Sequence, residues 1–229
     1  MTIHVTYDLV FILMPPITES LYRSHCLCYR YFTEAVLDIY NCQNVTIANI
    51  TVQNNFGTGR LIERFRGNSG GVAIGYNTLP DDYFNPTVKV SNSVFQNNQA
   101  NGFRTPNRAV AANIYLGRGG GLGMFLNESL HNLTLTISDC LFENNTVRLF
   151  GGGLFILTQS HLNNQLNMLI ERSVFRQNSA GFGGAGVQLS YLNSGANGNP
   201  HTVVFRECGF VGNRGSAGSG IYIFVGEHK

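Results

Sequence analysis

The 229-residue sequence has no Trp, only six Pro, and charged residues at 12%. Each scarcity excludes something. Soluble domains carry roughly 25% Asp, Glu, Lys and Arg, and charged disorder or long coiled coils need still more. Lys+Arg 15 against Asp+Glu 13 leaves a formal charge of +2. A nucleic-acid module shows a clustered basic excess instead, so no nucleic-acid partner is expected. Long apolar runs are missing too. The most apolar stretch, residues 9–14, stops at Pro15 and Pro16, far short of the ~20 residues that span a bilayer. No Lys or Arg stands just before it as in a secretion signal, and it reads as a strand.

Cysteine is sparse and odd in number: Cys26, Cys28, Cys42, Cys140 and Cys208. An odd count does not close a disulfide framework. Cys26 and Cys28 form C-x-C, not the C-x-x-C pair of a zinc site. The six His fall in termini and loops without ligand spacing. No metal and no cofactor are expected.

What the chain has in excess is Gly, 27 residues, and Asn, 26. The Asn excess has an order. Five segments align without gaps: VTIANITVQNN (45–55), VKVSNSVFQNN (88–98), LTISDCLFENN (135–145), MLIERSVFRQN (168–178) and VVFRECGFVGN (203–213). They share an apolar-x-apolar strand, a two-residue step, a small or apolar residue, a further apolar position and a closing Asn. The core column is Val52, Phe95, Phe142, Phe175 and Phe210. The closing column is Asn55, Asn98, Asn145, Asn178 and Asn213. A Gly-led strand follows each copy: GGVAI (70–74), GGLGM (120–124), GGLFI (152–156), GVQL (186–189) and GIYI (220–223).

Alternation of period two means strands with one inward face. A two-residue step that keeps the inside constant means a corner. Strands recurring in one direction must pair in parallel, about 4.8 Å apart. The expected architecture is an all-β, right-handed parallel β-helix of about five complete coils, the Gly-led strand forming a third wall. The Asn column is expected to occupy a left-handed corner conformation and to bond along the stack. Glu171 and Arg172 should face Arg206 and Glu207, and Glu143 should face Arg176. Cys140 and Cys208 lie in one column with Ser173 between them. Two coil spacings put them about 9–10 Å apart, beyond disulfide reach, so both are expected to be buried free thiols.

The coupled signatures F-x-x-N (Phe95/Asn98, Phe142/Asn145, Phe175/Asn178, Phe210/Asn213) and G-G-x-apolar resemble the repeats of chlamydial polymorphic outer-membrane proteins. They are similar also to large secreted or membrane-tethered β-helix proteins of simple animals, in the pectin-lyase-like superfamily. The resemblance covers residues 36–225 and implies adhesion or surface display for some members, polysaccharide cleavage for others. The cleavage motifs N-T-D, G-H-G and R-I-K are absent from this sequence. Its one acidic pair, Asp81-Asp82, follows Leu79-Pro80 in an inserted loop and reads as a solvated turn. The expected function is a non-catalytic extracellular module for display, adhesion or glycan or protein binding. The alternative is a polysaccharide lyase or glycoside hydrolase.

Binding, if it resides here, falls to inserted loops on a rigid scaffold. Arg60, Arg64 and Arg66 lie in one insertion, and Arg104, Arg108 and Arg118 in the next. Together they are the candidate reader of anionic glycans. Val94, Leu141 and Val174 form an outward aliphatic column that offers a second surface. N-glycosylation sequons at Asn44, Asn49, Asn127, Asn132 and Asn144 point to an extracellular or cell-surface setting, with a membrane-anchored parent protein as one form of it. Residues 1–35 are expected to be irregular or a partial coil and 36–229 the β-helix. A solenoid ending just past a strand, at residues 226–229, suggests part of a longer protein or self-association through the uncapped end.

Overall fold

The computed structural model describes residues 2–6, 27–29, 37–40, 42–57, 69–76, 85–101, 118–126, 132–160, 165–193 and 201–227. Residues 9–14, expected as a strand, lie outside them. The described residues form a parallel β-helix of five complete coils. Each coil carries four strands, one per wall, and each wall is a sheet running along the stack.

The first wall contains β1 (Thr2–Thr6), β4 (Asn44–Ala48), β8 (Thr87–Ser91), β12 (Asn132–Ser138), β16 (Gln165–Glu171) and β20 (Thr202–Arg206). The second holds β5 (Thr51–Gln53), β9 (Val94–Gln96), β13 (Leu141–Glu143), β17 (Val174–Arg176) and β21 (Gly209–Val211). The third is built from short strands: β6 (Phe56–Gly57), β10 (Gln99–Ala100), β14 (Thr146–Val147), β18 (Ser179–Gly183) and β22 (Arg214–Ala217). The fourth contains β2 (Leu27–Tyr29), β3 (Leu37–Tyr40), β7 (Val72–Tyr76), β11 (Leu122–Leu126), β15 (Leu154–Ser160), β19 (Val187–Asn193) and β23 (Ile221–Glu227). Among the described residues only β2 with β3, at the end that begins the stack, is antiparallel.

This corrects the expectation of three walls. The short strands after the closing Asn make a separate sheet whose inner surface is a small cluster, Ala100, Val147 and Ala180 with Ala185. The Gly-led strands are therefore the fourth wall.

The register follows the alignment residue by residue. Val45, Val88, Leu135, Met168 and Val203 are successive partners on the first wall. Val52, Phe95, Phe142, Phe175 and Phe210 are successive partners on the second. The four Phe rings lie face to face at 4.8, 4.6 and 5.1 Å between centroids, within 6° of parallel. Strand spacing sets that distance, because identical side chains in identical rotamers repeat with the ladder.

The walls differ in what covers them. The first alternates inward and outward residues, with buried Leu133, Leu135 and Ile137 between exposed or half-buried Asn132, Thr134 and Thr136. The fourth is buried on both faces. In β15, Leu154 and Ile156 point to the lumen while Phe155 and Leu157 on the opposite face are buried as well. Two-sided burial explains why the Gly-led segments read as near-continuous apolar runs.

Glycine has two separate roles at the corner before the fourth wall. Gly119, Gly151, Gly184 and Gly218 have φ of 60–70°. Two residues on, Gly153 needs space: a Cβ there would lie 2.7 Å from the Gly186 carbonyl oxygen and 3.0 Å from Cδ1 of Phe175. The adjacent coil occupies the volume that any side chain would take.

Candidate functional site

The ladder Asn residues are joined along the stack. For Asn145, Oδ1 accepts from the backbone N–H of Asn98 at 3.0 Å and from its Nδ2 at 3.0 Å. Its Nδ2 donates to the Phe95 carbonyl at 2.8 Å and to Oδ1 of Asn178 at 3.0 Å. Two acceptor bonds and two donor bonds use the whole capacity of one carboxamide. Asn98 and Asn178 repeat the pattern, and all three are fully buried. Aspartate would supply no donors and Gln would overshoot by a methylene, which accounts for Asn in every copy. The ladder has a direction: each amide donates one Nδ2 hydrogen to the Asn of the later coil and the other to a backbone carbonyl of the earlier one.

The left-handed conformation lies one residue earlier than expected. Asn54, Asn97, Asn144 and Gln177 have φ of 51–58°, and Gly212 has 64°. Asn tolerates this region, and the exposed amides form an outer ladder: Asn144 Nδ2 donates to Asn97 Oδ1 at 2.7 Å, and Asn97 Nδ2 to Asn54 Oδ1 at 3.2 Å. The corner between the first two walls uses Asn49, Asn92, Asp139, Arg172 and Glu207, with φ of 46–56°.

The next column, Ile50, Ser93, Cys140, Ser173 and Cys208, is a capping position. Ser93 Oγ donates to the Ser91 carbonyl at 2.7 Å and Ser173 Oγ to that of Glu171 at 2.9 Å. Cys140 Sγ makes the same contact with Ser138 at 3.1 Å, and Cys208 Sγ with Arg206 at 3.3 Å. Both thiols are free; Cys140 is buried, whereas Cys208, expected to be buried, is half-buried because it belongs to the last coil. Burial pushes the Cys140 thiol up to about 11, so it carries no nucleophilic thiolate at neutral pH. Cys42 is disulfide-bonded, a bond that the odd count did not reveal.

Charges zip the coils at the corners. Arg176 Nε lies 2.6 Å from Glu143 Oε1 and Arg206 Nη1 3.6 Å from Glu171 Oε2, the pairings expected between neighbours. Arg172 turns the other way. It bonds Asp139 of the preceding coil through Nε and Nη2, at 2.8 and 3.0 Å, rather than Glu207. The guanidinium hydrogen bond holds the Asp139 carboxyl below its ordinary value.

Of the six candidate Arg, five (Arg60, Arg64, Arg66, Arg104 and Arg108) lie outside the described residues, as does the Asp81-Asp82 pair. Arg118 is described and is not a surface reader: its side chain is buried to 8% exposure, with the guanidinium carbon 5.2 Å from the Phe155 ring centroid and 5.9 Å from that of Phe150. It bridges to Phe150 on the backbone and so belongs to the packed outer face of the fourth wall. Cation–π attraction strengthens where water is excluded. Among the sequons, Asn44, Asn49, Asn132 and Asn144 are exposed, and Asn127 lies outside the described residues.

One cluster had no signal in the sequence. Thr158 and Tyr191 are partners in the lumen-facing column at the end of the fourth wall. Tyr191 stacks on His201 with centroids 4.5 Å apart at 13°. His201 Nδ1 accepts the Leu166 N–H at 3.1 Å, and burial lowers its pKa. The neutral ring therefore carries its proton on Nε2. That atom, the Tyr191 hydroxyl and the Thr158 hydroxyl are buried without hydrogen-bond partners among the described residues. Desolvation pushes the Tyr191 hydroxyl up to about 12. A loop His was the expectation; the structure makes it a tie between the fourth and fifth coils.

Among the described residues no group of three or more His, Cys, Asp or Glu is placed to hold a metal ion. No family model, curated protein or solved structure matches the chain.

Proposed function

We propose that the chain is a non-catalytic extracellular β-helix module of the pectin-lyase-like type, serving adhesion or surface display through a protein- or glycan-binding face. The observation that carries this reading is the outward column of the second wall. Val94 and Leu141 are half-buried and Val174 is 37% exposed, in consecutive coils. The Asp139–Arg172 pair flanks this stripe on one side and the Glu143–Arg176 pair on the other. An aliphatic strip with a charged border has the make-up of an interface core and rim. Two further features support an extracellular setting: exposed sequon Asn residues and the Cys42 disulfide, a bond that persists in oxidising compartments.

The test is retention of the secreted chain on surfaces coated with heparin, polygalacturonate or matrix proteins. Leu141→Lys with Val174→Lys should abolish retention without lowering the melting temperature. Retention that survives this pair but is lost on Arg60→Ala with Arg104→Ala would move binding to the inserted loops. Turnover of polygalacturonate, with or without Ca²⁺, would overturn the non-catalytic reading.

A further inference from the structure

On the outward face of the second wall, charge changes sign from one coil to the next. The third coil presents Asp139, Leu141 and Glu143 in a row running from the first-wall corner to the third-wall corner. The fourth presents Arg172, Val174 and Arg176 at the same positions. An acid–apolar–acid row thus lies one strand spacing, about 4.8 Å, from a base–apolar–base row. Of the other three rows, only the fifth carries a charge, on Glu207. In all five coils the chain is described without a break from the first wall through the third, so this face is seen whole.

The charges are paired within the chain and still open to solvent. The Arg172 and Arg176 side chains are 45% and 48% exposed, although each meets an acid of the third coil. Arg176 spends only Nε on Glu143, and among the described residues both of its Nη groups keep their donors.

Two copies can lay this wall face to face about a two-fold axis in two ways. With the axis parallel to the stack, each coil faces its own counterpart. Asp139 then opposes Glu143 of the other copy and Arg172 opposes Arg176, which like-charge repulsion disfavours. With the axis along the strands, between the third and fourth coils, the stacks run antiparallel and the third coil of each copy faces the fourth of the other. Asp139 then meets Arg172, Glu143 meets Arg176 and Leu141 meets Val174, each pairing occurring twice. The next rows agree in shape, since Val94 falls opposite Gly209, which has no side chain to crowd it.

We propose that the second wall is a homophilic contact, in which two copies of this chain join side by side as antiparallel stacks centred between the third and fourth coils. This names the partner of the binding face put forward above and rests on that reading. The wall is three residues wide, roughly 10 Å, so a single contact is small and weak. On a surface that carries many copies, avidity compensates for that weakness.

The test exchanges the two charged rows. The chain is made in a bacterial periplasm that forms disulfides and adds no N-glycan, because the Asn144 sequon borders this face. Asp139→Arg and Glu143→Arg combined with Arg172→Asp and Arg176→Glu reverse both rows and keep an acid beside every base. Sedimentation of separately labelled chains, alone and mixed, at concentrations up to about 1 mM gives the readout. Wild-type and exchanged chains should each dimerise, whereas mixed dimers should be about tenfold rarer than random pairing gives, since like charges then face each other. Arg172→Asp with Arg176→Glu alone should weaken self-association about tenfold or more. Leu141→Lys with Val174→Lys should abolish it. Free mixing of wild-type and exchanged chains overturns the antiparallel contact. A chain that stays monomeric, and still loses surface retention with Leu141→Lys and Val174→Lys, overturns the homophilic partner and leaves the binding face standing. Self-association and retention that both ignore the lysine pair overturn the two together.

Discussion

The third and fifth coils are built from one template and live in different surroundings. Phe142 and Phe210, Asn145 and Asn213, Cys140 and Cys208 are pairs at identical positions. The first of each pair is buried with a coil on either side, and the second has, among the described residues, a neighbouring coil on one side. Whatever the template residues contribute locally is common to both coils. The difference between them measures what stacking adds, which in a solenoid is the nearest-neighbour term.

The largest contrast should come from the aromatic column. Phe142→Ala removes a ring stacked on two others and is expected to cost about 3–5 kcal/mol in urea unfolding, as for buried Phe generally. Phe210→Ala, with one stacked neighbour, should cost less than half as much. Equal losses would show that the Phe contributes through its own coil alone.

The ladder comes next. Asn145→Ala strands the Asn98 N–H and one Nδ2 hydrogen, takes the side-chain donor from the Phe95 carbonyl and leaves Asn178 Oδ1 with only the backbone N–H of residue 145, and should cost about 3 kcal/mol. Asn213→Ala at the half-buried end should cost about 1 kcal/mol. Glycine sharpens the comparison from the steric side. Gly153→Ala drives a Cβ against the backbone of the next coil, for an expected loss of about 1–3 kcal/mol. Gly220→Ala meets nothing nearer than Phe210 Cβ at 3.6 Å and should be close to neutral.

The smallest effect is a pH dependence at the seam between the fourth and fifth coils. His201 has a folded pKa below its ordinary 6.5. As pH falls below 6.5 the unfolded chain takes up a proton that the folded chain resists, so stability declines. Protonation also turns Nδ1 from acceptor to donor against the Leu166 N–H. His201→Gln should flatten the decline of the unfolding midpoint in that acid range, and a slope unchanged by the substitution would remove the seam from the account.

The columns of the first, second and fourth walls were legible because period-two alternation and an invariant Asn fix the register over gaps of varying length. The third wall was not, since a strand such as Gln99–Ala100 has a single inward residue and no period. The left-handed corner was misplaced by one residue because Asn-Asn pairs at 54–55, 97–98 and 144–145 hide which member bends. Arg118 looked like loop charge because nothing local distinguishes a guanidinium in solvent from one lying over Phe155. Thr158 and Tyr191 share the coil period of 33 residues that separates Asn145 from Asn178, but His201 stands outside the repeated template, so only folding lays it against Tyr191.

The capping column carries one more consequence, for redox chemistry. Neighbouring coils hold equivalent Cα atoms about 4.8 Å apart, inside the 4.4–6.8 Å window that a disulfide requires. Two thiols in consecutive coils at this corner would thus be within bonding range. The order Ser93, Cys140, Ser173, Cys208 places a hydroxyl between the sulfurs, and that hydroxyl makes the same carbonyl contact without being oxidisable. Ser173→Cys would introduce a thiol one coil from each neighbour and convert a silent corner into a cross-linkable spine.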